Sequence, residues 1–138
     1  MIDARTIRRA AFTLTSGNVR EAVAWIATQM TEIGATERQS FRAQLSAEEL
    51  LLNAIEHGGR DPLSASVTLE ALSERLRLTL QDDSAPFNFF DAPERNIDQT
   101  IETARPGGWG LELVRRFAQV ISYRRVDNRN VVVLDFTL

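Results

Sequence analysis

Between residues 66 and 80 the chain alternates twice between apolar and polar residues. Val67 and Leu69 alternate with Ser66, Thr68 and Glu70, and Leu76, Leu78 and Leu80 alternate with Arg75, Arg77 and Thr79. A period of two turns one side of each segment towards a core. The stretch Leu72 to Glu74 between them leaves room only for a short turn, so an antiparallel hairpin is predicted. A second hairpin closes the chain, where VISYRRV and VVVLDFTL flank DNRN and Leu134, Phe136 and Leu138 alternate against Asp135 and Thr137. Residues 9 to 15, RAAFTLT, put Phe12 and Leu14 on one side and read as a fifth strand. Strands joined as hairpins exclude an all-parallel, doubly wound sheet, in which each connection must cross over.

Helical spacing fills the remainder. Val19, Val23, Ile26, Met30 and Ile33 predict an amphipathic helix from about 18 to 33, with Ser16 and Asn18 available as N-caps and Gly34 as its end. Trp25 lies off that stripe; it either covers a second face or is exposed for a partner, and partial burial is the expectation. A second helix runs from about Thr36 to His57 and stops at Gly58-Gly59, and GLELVRRFAQV gives a third, with Leu111, Val114 and Ala118 on one side. Residues 82 to 108 hold Pro86 and Pro93 and few periodic apolar positions. A loop of that length in a compact domain is usually functional or mobile. The order strand, helix, helix, two strands, loop, helix, two strands implies one α+β domain over residues 1–138. Its expected architecture is a two-layer sandwich, with three helices on one face of about five mostly antiparallel strands.

Composition narrows the chemistry. The 138 residues are 43% apolar and 25% charged, with no cysteine, one histidine and a formal charge of -3. A chain of this length buries roughly two thirds of its unfolded surface, so no disulfide or structural metal is required. The absence of cysteine removes thiol catalysis and cysteine zinc sites and fits a reducing cytoplasm, the expected location. Without a large basic excess, direct nucleic-acid binding is disfavoured, although Arg5, Arg8 and Arg9 form a local basic run. No apolar run approaches the ~18 residues of a membrane helix, and MIDARTIRRA has no signal core. Small molecules and proteins remain as partners.

Within the second helix, EELLLNAIEHGG carries Glu49, Asn53, Glu56 and His57 among leucines and isoleucine. At about 100° per residue these four fall in an arc of roughly 100°, a polar band on a mostly apolar helix. A carboxylate and an amide four residues apart project side by side. The amide oxygen of Asn53 can ligate a hard cation such as Mg²⁺ that also holds phosphates, and Glu49 can orient or deprotonate a hydroxyl. The plain alternative is a surface pair followed by a histidine that ends the helix.

Two further stretches bear on that choice. Asp82 stands where a hairpin strand opens into the long loop and can accept a hydrogen bond from a ligand amino group, although Asp-Asp-Ser is also ordinary turn chemistry. In PGGWGLELV, Gly107, Gly108 and Gly110 precede a helix, which lets backbone N–H groups approach a phosphate at the positive end of the dipole. A hinge before a helix would look the same. The usual nucleotide fingerprints, G-x-x-x-x-G-K-[ST] and a helix-opening G-x-G-x-x-G after the first strand, are absent.

Together and in this order, the three stretches resemble the GHKL ATP-binding superfamily, whose domain is the Bergerat or HATPase fold. They are most similar to the bacterial anti-sigma factor serine kinases of partner-switching systems. Glu49, Asn53, Ala54, His57 and Gly58 match the box E-x-x-x-N-A-x-x-H-G. Asp82 to Phe87 follow D-x-G-x-x-F, and Gly107, Gly108, Gly110, Leu111 and Leu113 match G-G-x-G-L-x-L. The resemblance implies ATP and Mg²⁺ as cofactors, Glu49 as base towards a partner serine and Asn53 as Mg²⁺ ligand. It implies Asp82 as reader of the adenine amino group, with Pro86 beside it and His57 at the pocket edge. It further implies phosphate contacts from the backbone of Gly108, Trp109, Gly110 and Leu111, and a lid from about 88 to 106. The partners implied are an anti-anti-sigma substrate and a sigma factor competing for a surface that includes Arg20, with homodimerisation common in the family. Ser84 departs from the pattern: it replaces the usual glycine, so a positive φ there would be strained, or the loop takes another path.

Two other readings belong beside the kinase. One is a catalytically silent, nucleotide-regulated module that sequesters a partner, which has no need of a base at Glu49. The other is a detached catalytic piece of a histidine-kinase system, for which no companion histidine-bearing hairpin is present.

Overall fold

The structure, a computed structural model, describes residues 6–88 and 110–137. Strand β1 (Ile7–Leu14) leads into helices α1 (Val19–Glu32) and α2 (Glu37–His57), then β2 (Leu63–Leu72), β3 (Arg75–Asp82), α3 (Gly110–Phe117), β4 (Val120–Val126) and β5 (Arg129–Thr137). The five strands form one sheet in the order β1-β2-β3-β5-β4, and every pairing is antiparallel. The expected α+β sandwich is the fold found.

The period-two pattern places the core. Val67, Leu80 and Val132 are cross-strand neighbours, as are Leu69, Leu78 and Leu134, and Ala71, Leu76 and Phe136. These side chains pack with Ile26 and Met30 of α1, Ala43, Ala47 and Leu50 of α2 and Val114 of α3 in one cluster. Each large apolar side chain sealed in this way contributes about 1.5–3 kcal/mol. Leu14, Val19, Leu51, Ile55 and Leu63 form a second cluster at the α2 C-terminal end. Trp25 is half-buried and meets Phe12 edge-on, with centroids 6.1 Å apart, so it covers a second face as expected.

The opposite sheet face carries the alternate residues. Asp135 is buried there to 1% exposure, held by a two-pronged bond from Arg77 at 2.8 and 3.0 Å, with Arg75 at 3.5 Å.

Local chemistry explains the helix limits and corrects one expectation. Thr36 and Gln39 cap α2 reciprocally, Thr36 Oγ1 accepting from the Gln39 N–H at 3.1 Å and Gln39 Oε1 accepting from the Thr36 N–H at 3.0 Å. At the α2 C-terminus Gly58 keeps a right-handed backbone, and the left-handed residue is Gly59, φ +67°. Asn18 occupies the α1 N-cap position, yet its side chain caps nothing. Instead its oxygen accepts from the Thr15 N–H and its amide donates to the Thr13 carbonyl, fastening the turn after β1.

The closing hairpin departs from the sequence reading in one consequential way. DNRN is not all turn: Asp127 and Asn128, φ +51° and +62°, make a two-residue loop that matches the sheet's twist. Arg129 and Asn130 therefore belong to β5.

Candidate functional site

Helix α2 lies across the sheet so that its second half faces the open ends of β3 and β5. Between them lies a cleft open to solvent, lined by Leu50, Leu51, Asn53 and Ala54 of α2, Leu80 and Asp82 of β3, Asn130 and Val132 of β5, and Ser84 and Phe87. The walls are mostly apolar and suit a flat ring, and Asp82, Ser84 and Asn130 gather in one hydrogen-bonded group.

Asn53 is half-buried, and its Nδ2 donates to the Glu49 backbone carbonyl at 2.8 Å. That bond uses one of the two amide hydrogens within the helix, and among the described residues no donor engages Oδ1, which is open to a ligand. Among the described residues no group of three or more histidine, cysteine or acidic side chains gathers to hold a metal. A cation bound through Asn53 would therefore draw its other oxygens from phosphate and water, the pattern of Mg²⁺ in nucleotide sites. The donor set fits that ion.

Glu49 is one turn before Asn53 on α2 and half-buried. Its carboxyl is raised above the ordinary glutamate value, first by burial and then by the negative charges of Glu48 and Glu56. Glu56 itself is exposed, a rim charge.

Asp82 ends β3 and is 7% exposed. Its Oδ1 accepts from the Ser84 N–H at 2.9 Å, from the Ser84 hydroxyl and from Asn130 Nδ2 at 3.2 Å. Asp83 points away and accepts from the Ser64 N–H at 2.9 Å, which ties the loop to β2. Ser84 shows no strain: outside glycine, only Asp127 and Asn128 among the described residues have positive φ. The loop takes another path, with the serine fully buried and its neighbour Ala85 donating to the Gly58 carbonyl at 3.0 Å.

The remaining expected site residues are placed less centrally. His57 is exposed and stacks on Phe87 at 6.3 Å, so it supports a cleft wall from outside. Pro86 is exposed, and Phe87 is the residue of that segment that lines the cleft. Gly110 opens α3, and Leu111 packs partly buried against the main core. Gly108, Trp109 and the lid lie outside the described residues, apart from Asn88 at the lid's first position. Arg20 is exposed on the first turn of α1.

The composition of DNRN assigns Asn130 to a turn and so conceals its place in the site. The signal was its parity: counting back in twos from Phe136, Leu134 and Val132 puts residue 130 on the core face, and a polar residue there needs a buried partner.

Comparison with known proteins agrees with this geometry. Residues 12–136 match the histidine kinase-like ATPase domain. The serine/threonine-protein kinase BtrW of Bordetella bronchiseptica is 27% identical over 123 residues, 88% of this chain and 87% of that protein. The crystal structure of the RsbU and RsbW domains of Rv1364c from Mycobacterium tuberculosis superposes with a TM-score of 0.62 at 16% identity, over 95% of this chain and 32% of that one. The nucleotide-free catalytic domain of the histidine kinase ThkA gives a TM-score of 0.51 at 16% identity, over 94% and 97% of the two chains.

Proposed function

Since the chain belongs to the histidine kinase-like ATPase domain family, we propose that it is an ATP-dependent protein serine kinase that doubles as an anti-sigma factor. The observation that carries the reading is the joint placement of Asn53 and Asp82 on one cleft, with Glu49 one helical turn before Asn53. Similarity to a serine/threonine-protein kinase along most of both chains supports it.

In this reading adenine enters between the apolar walls and its amino group donates to Asp82. The resemblance assigns the triphosphate to backbone N–H groups of Gly108, Trp109, Gly110 and Leu111, the last two of which open α3. Asn53 Oδ1 would hold Mg²⁺, which would supply charge neutralisation at the phosphates. Glu49 takes the proton of a partner's serine hydroxyl as its oxygen bonds to the γ-phosphorus, while the bond to the β-phosphate oxygen breaks and ADP leaves. Burial of Glu49 makes it a stronger base than a solvated carboxylate, and it must be ionised to act.

The substrate is an anti-anti-sigma protein, and a sigma factor competes with it for a surface that includes Arg20. The protein works in the cytoplasm, with homodimerisation expected from the family resemblance. The test mixes the purified chain, labelled ATP, Mg²⁺ and small candidate partners from the same genome. One partner should acquire phosphoserine. A chain that binds ATP and captures a partner without phosphorylating any would instead be a silent binding module.

A further inference from the structure

Asp82 and Asn130 are direct cross-strand partners on the core side of the sheet, 7% and 3% exposed. A buried amide must fill its donor and acceptor positions or forfeit stability. Asn130 fills them from two directions. Its Oδ1 accepts from the Tyr123 hydroxyl at 2.6 Å and from Arg125 at 3.1 Å, both on β4. With the oxygen held, only Nδ2 faces the loop, where it meets Ala85 O at 2.9 Å, Ser84 Oγ at 3.0 Å and Asp82 Oδ1 at 3.2 Å. Arg125 also donates to the Ser84 carbonyl at 2.7 Å, so β4 holds the same loop directly as well as through Asn130.

The consequence falls on Asp82. Ser84 N–H, Ser84 hydroxyl and Asn130 Nδ2 all converge on Oδ1, and among the described residues no donor engages Oδ2. The carboxylate is thereby held against rotation, with Oδ2 left as the acceptor for whatever enters the cleft. An oxygen fixed there accepts from the exocyclic amino group of adenine and opposes the O6 carbonyl that guanine carries at the same place.

We infer that Asn130 is a positioning residue for Asp82, and that through it Tyr123 and Arg125 of β4 determine which purine the cleft selects. This rests on Asp82 facing the base in the proposed nucleotide site. The determinant lies on β4 and β5, whereas Glu49, Asn53 and the start of α3 handle the phosphates. Losing Asn130 should therefore erode discrimination between bases and leave phosphate binding alone.

The experiment measures Mg-ATP and Mg-GTP affinity by calorimetry for the natural chain, Asn130→Ala and Tyr123→Phe. The natural chain should prefer ATP. Asn130→Ala should lower ATP affinity about tenfold, the effect of loosening one buried hydrogen-bonded group, with GTP affinity nearly unchanged. Tyr123→Phe, which removes one of the two bonds that orient the amide and leaves that from Arg125, should shift the ATP:GTP ratio the same way by about threefold. Folding is checked by circular dichroism, and if Asn130→Ala fails to fold, Tyr123→Phe decides. A folded variant that keeps the natural ATP:GTP ratio overturns the inference alone. A natural chain that binds neither nucleotide overturns the nucleotide reading and this inference with it.

Discussion

Gly58 and Ser84 share one space: a Cβ built on Gly58 would lie 2.4 Å from Ser84 Cβ and 2.3 Å from the Ala54 carbonyl oxygen. Backbone oxygen cannot swing aside as a flexible side chain could. Gly58→Ala should therefore cost about 1–3 kcal/mol, the range of overpacking, and push the Ser84 loop off Asp82. Gly59→Ala is the control. A Cβ there meets nothing within 4 Å, so it should cost only the ~1 kcal/mol of a left-handed backbone. Urea unfolding checks the order, and nucleotide affinity should fall for Gly58→Ala only.

Asn53→Ala should weaken Mg-ATP binding by about ten- to a hundredfold, the scale of losing a group that orders a metal site. Stability should change by only about 1 kcal/mol, because the amide makes one internal hydrogen bond, to the Glu49 carbonyl. Calorimetry with and without Mg²⁺ separates the effects. Nucleotide affinity without Mg²⁺ should be nearly that of the natural chain.

Glu49 should impose a pH dependence of definite sign. Its folded-state pKa is raised by burial, then by Glu48 and Glu56. Its contribution to stability is therefore present below the ordinary glutamate value and lost as pH rises through the folded value. Near neutral pH the ionised form is a burden, so Glu49→Gln should raise the unfolding midpoint. The acid limb of kcat/KM should sit above the ordinary glutamate range. Replacing Glu48 and Glu56 with glutamine should move that limb to lower pH.

On the far sheet face the ion pair of Asp135 and Arg77 is asymmetric, with the carboxylate side chain 1% exposed and the guanidinium 33%. Arg77→Met leaves a buried charge with Arg75 at 3.5 Å as its remaining ion-pair partner. Asp135→Asn leaves an arginine that water can reach. Chemical denaturation should show the arginine variant to be the less stable of the two.

How far the sequence could be read follows from these same residues. The alternation of Leu76, Leu78 and Leu80 and the helical recurrence from Val19 to Met30 are period signals that burial enforces, so they survive into the fold unchanged. Glu49, Asn53 and Asp82 were legible because each breaks its local pattern at an informative place. Asn130 was not, because DNRN has the composition of a turn whichever two of its residues make it, and only pairing with β3 and β4 decides. Phe87 was legible only as the last residue of the D-x-G-x-x-F box; the stack on His57 that sets it against the cleft is a contact across 30 residues that no spacing encodes. The Ser84 path was open for a related reason, since it depends on the missing side chain at Gly58.

The central claim is that Glu49 is the base of a phosphoryl transfer from ATP to a partner's serine. The most direct measurement is single-turnover transfer from labelled Mg-ATP to that partner, run on the natural chain and on Glu49→Gln at matched nucleotide saturation. The variant should bind Mg-ATP as well as the natural chain and transfer phosphate about 10²–10⁴ times more slowly, the range for a lost general base. Transfer at the natural rate by the glutamine variant would contradict the claim.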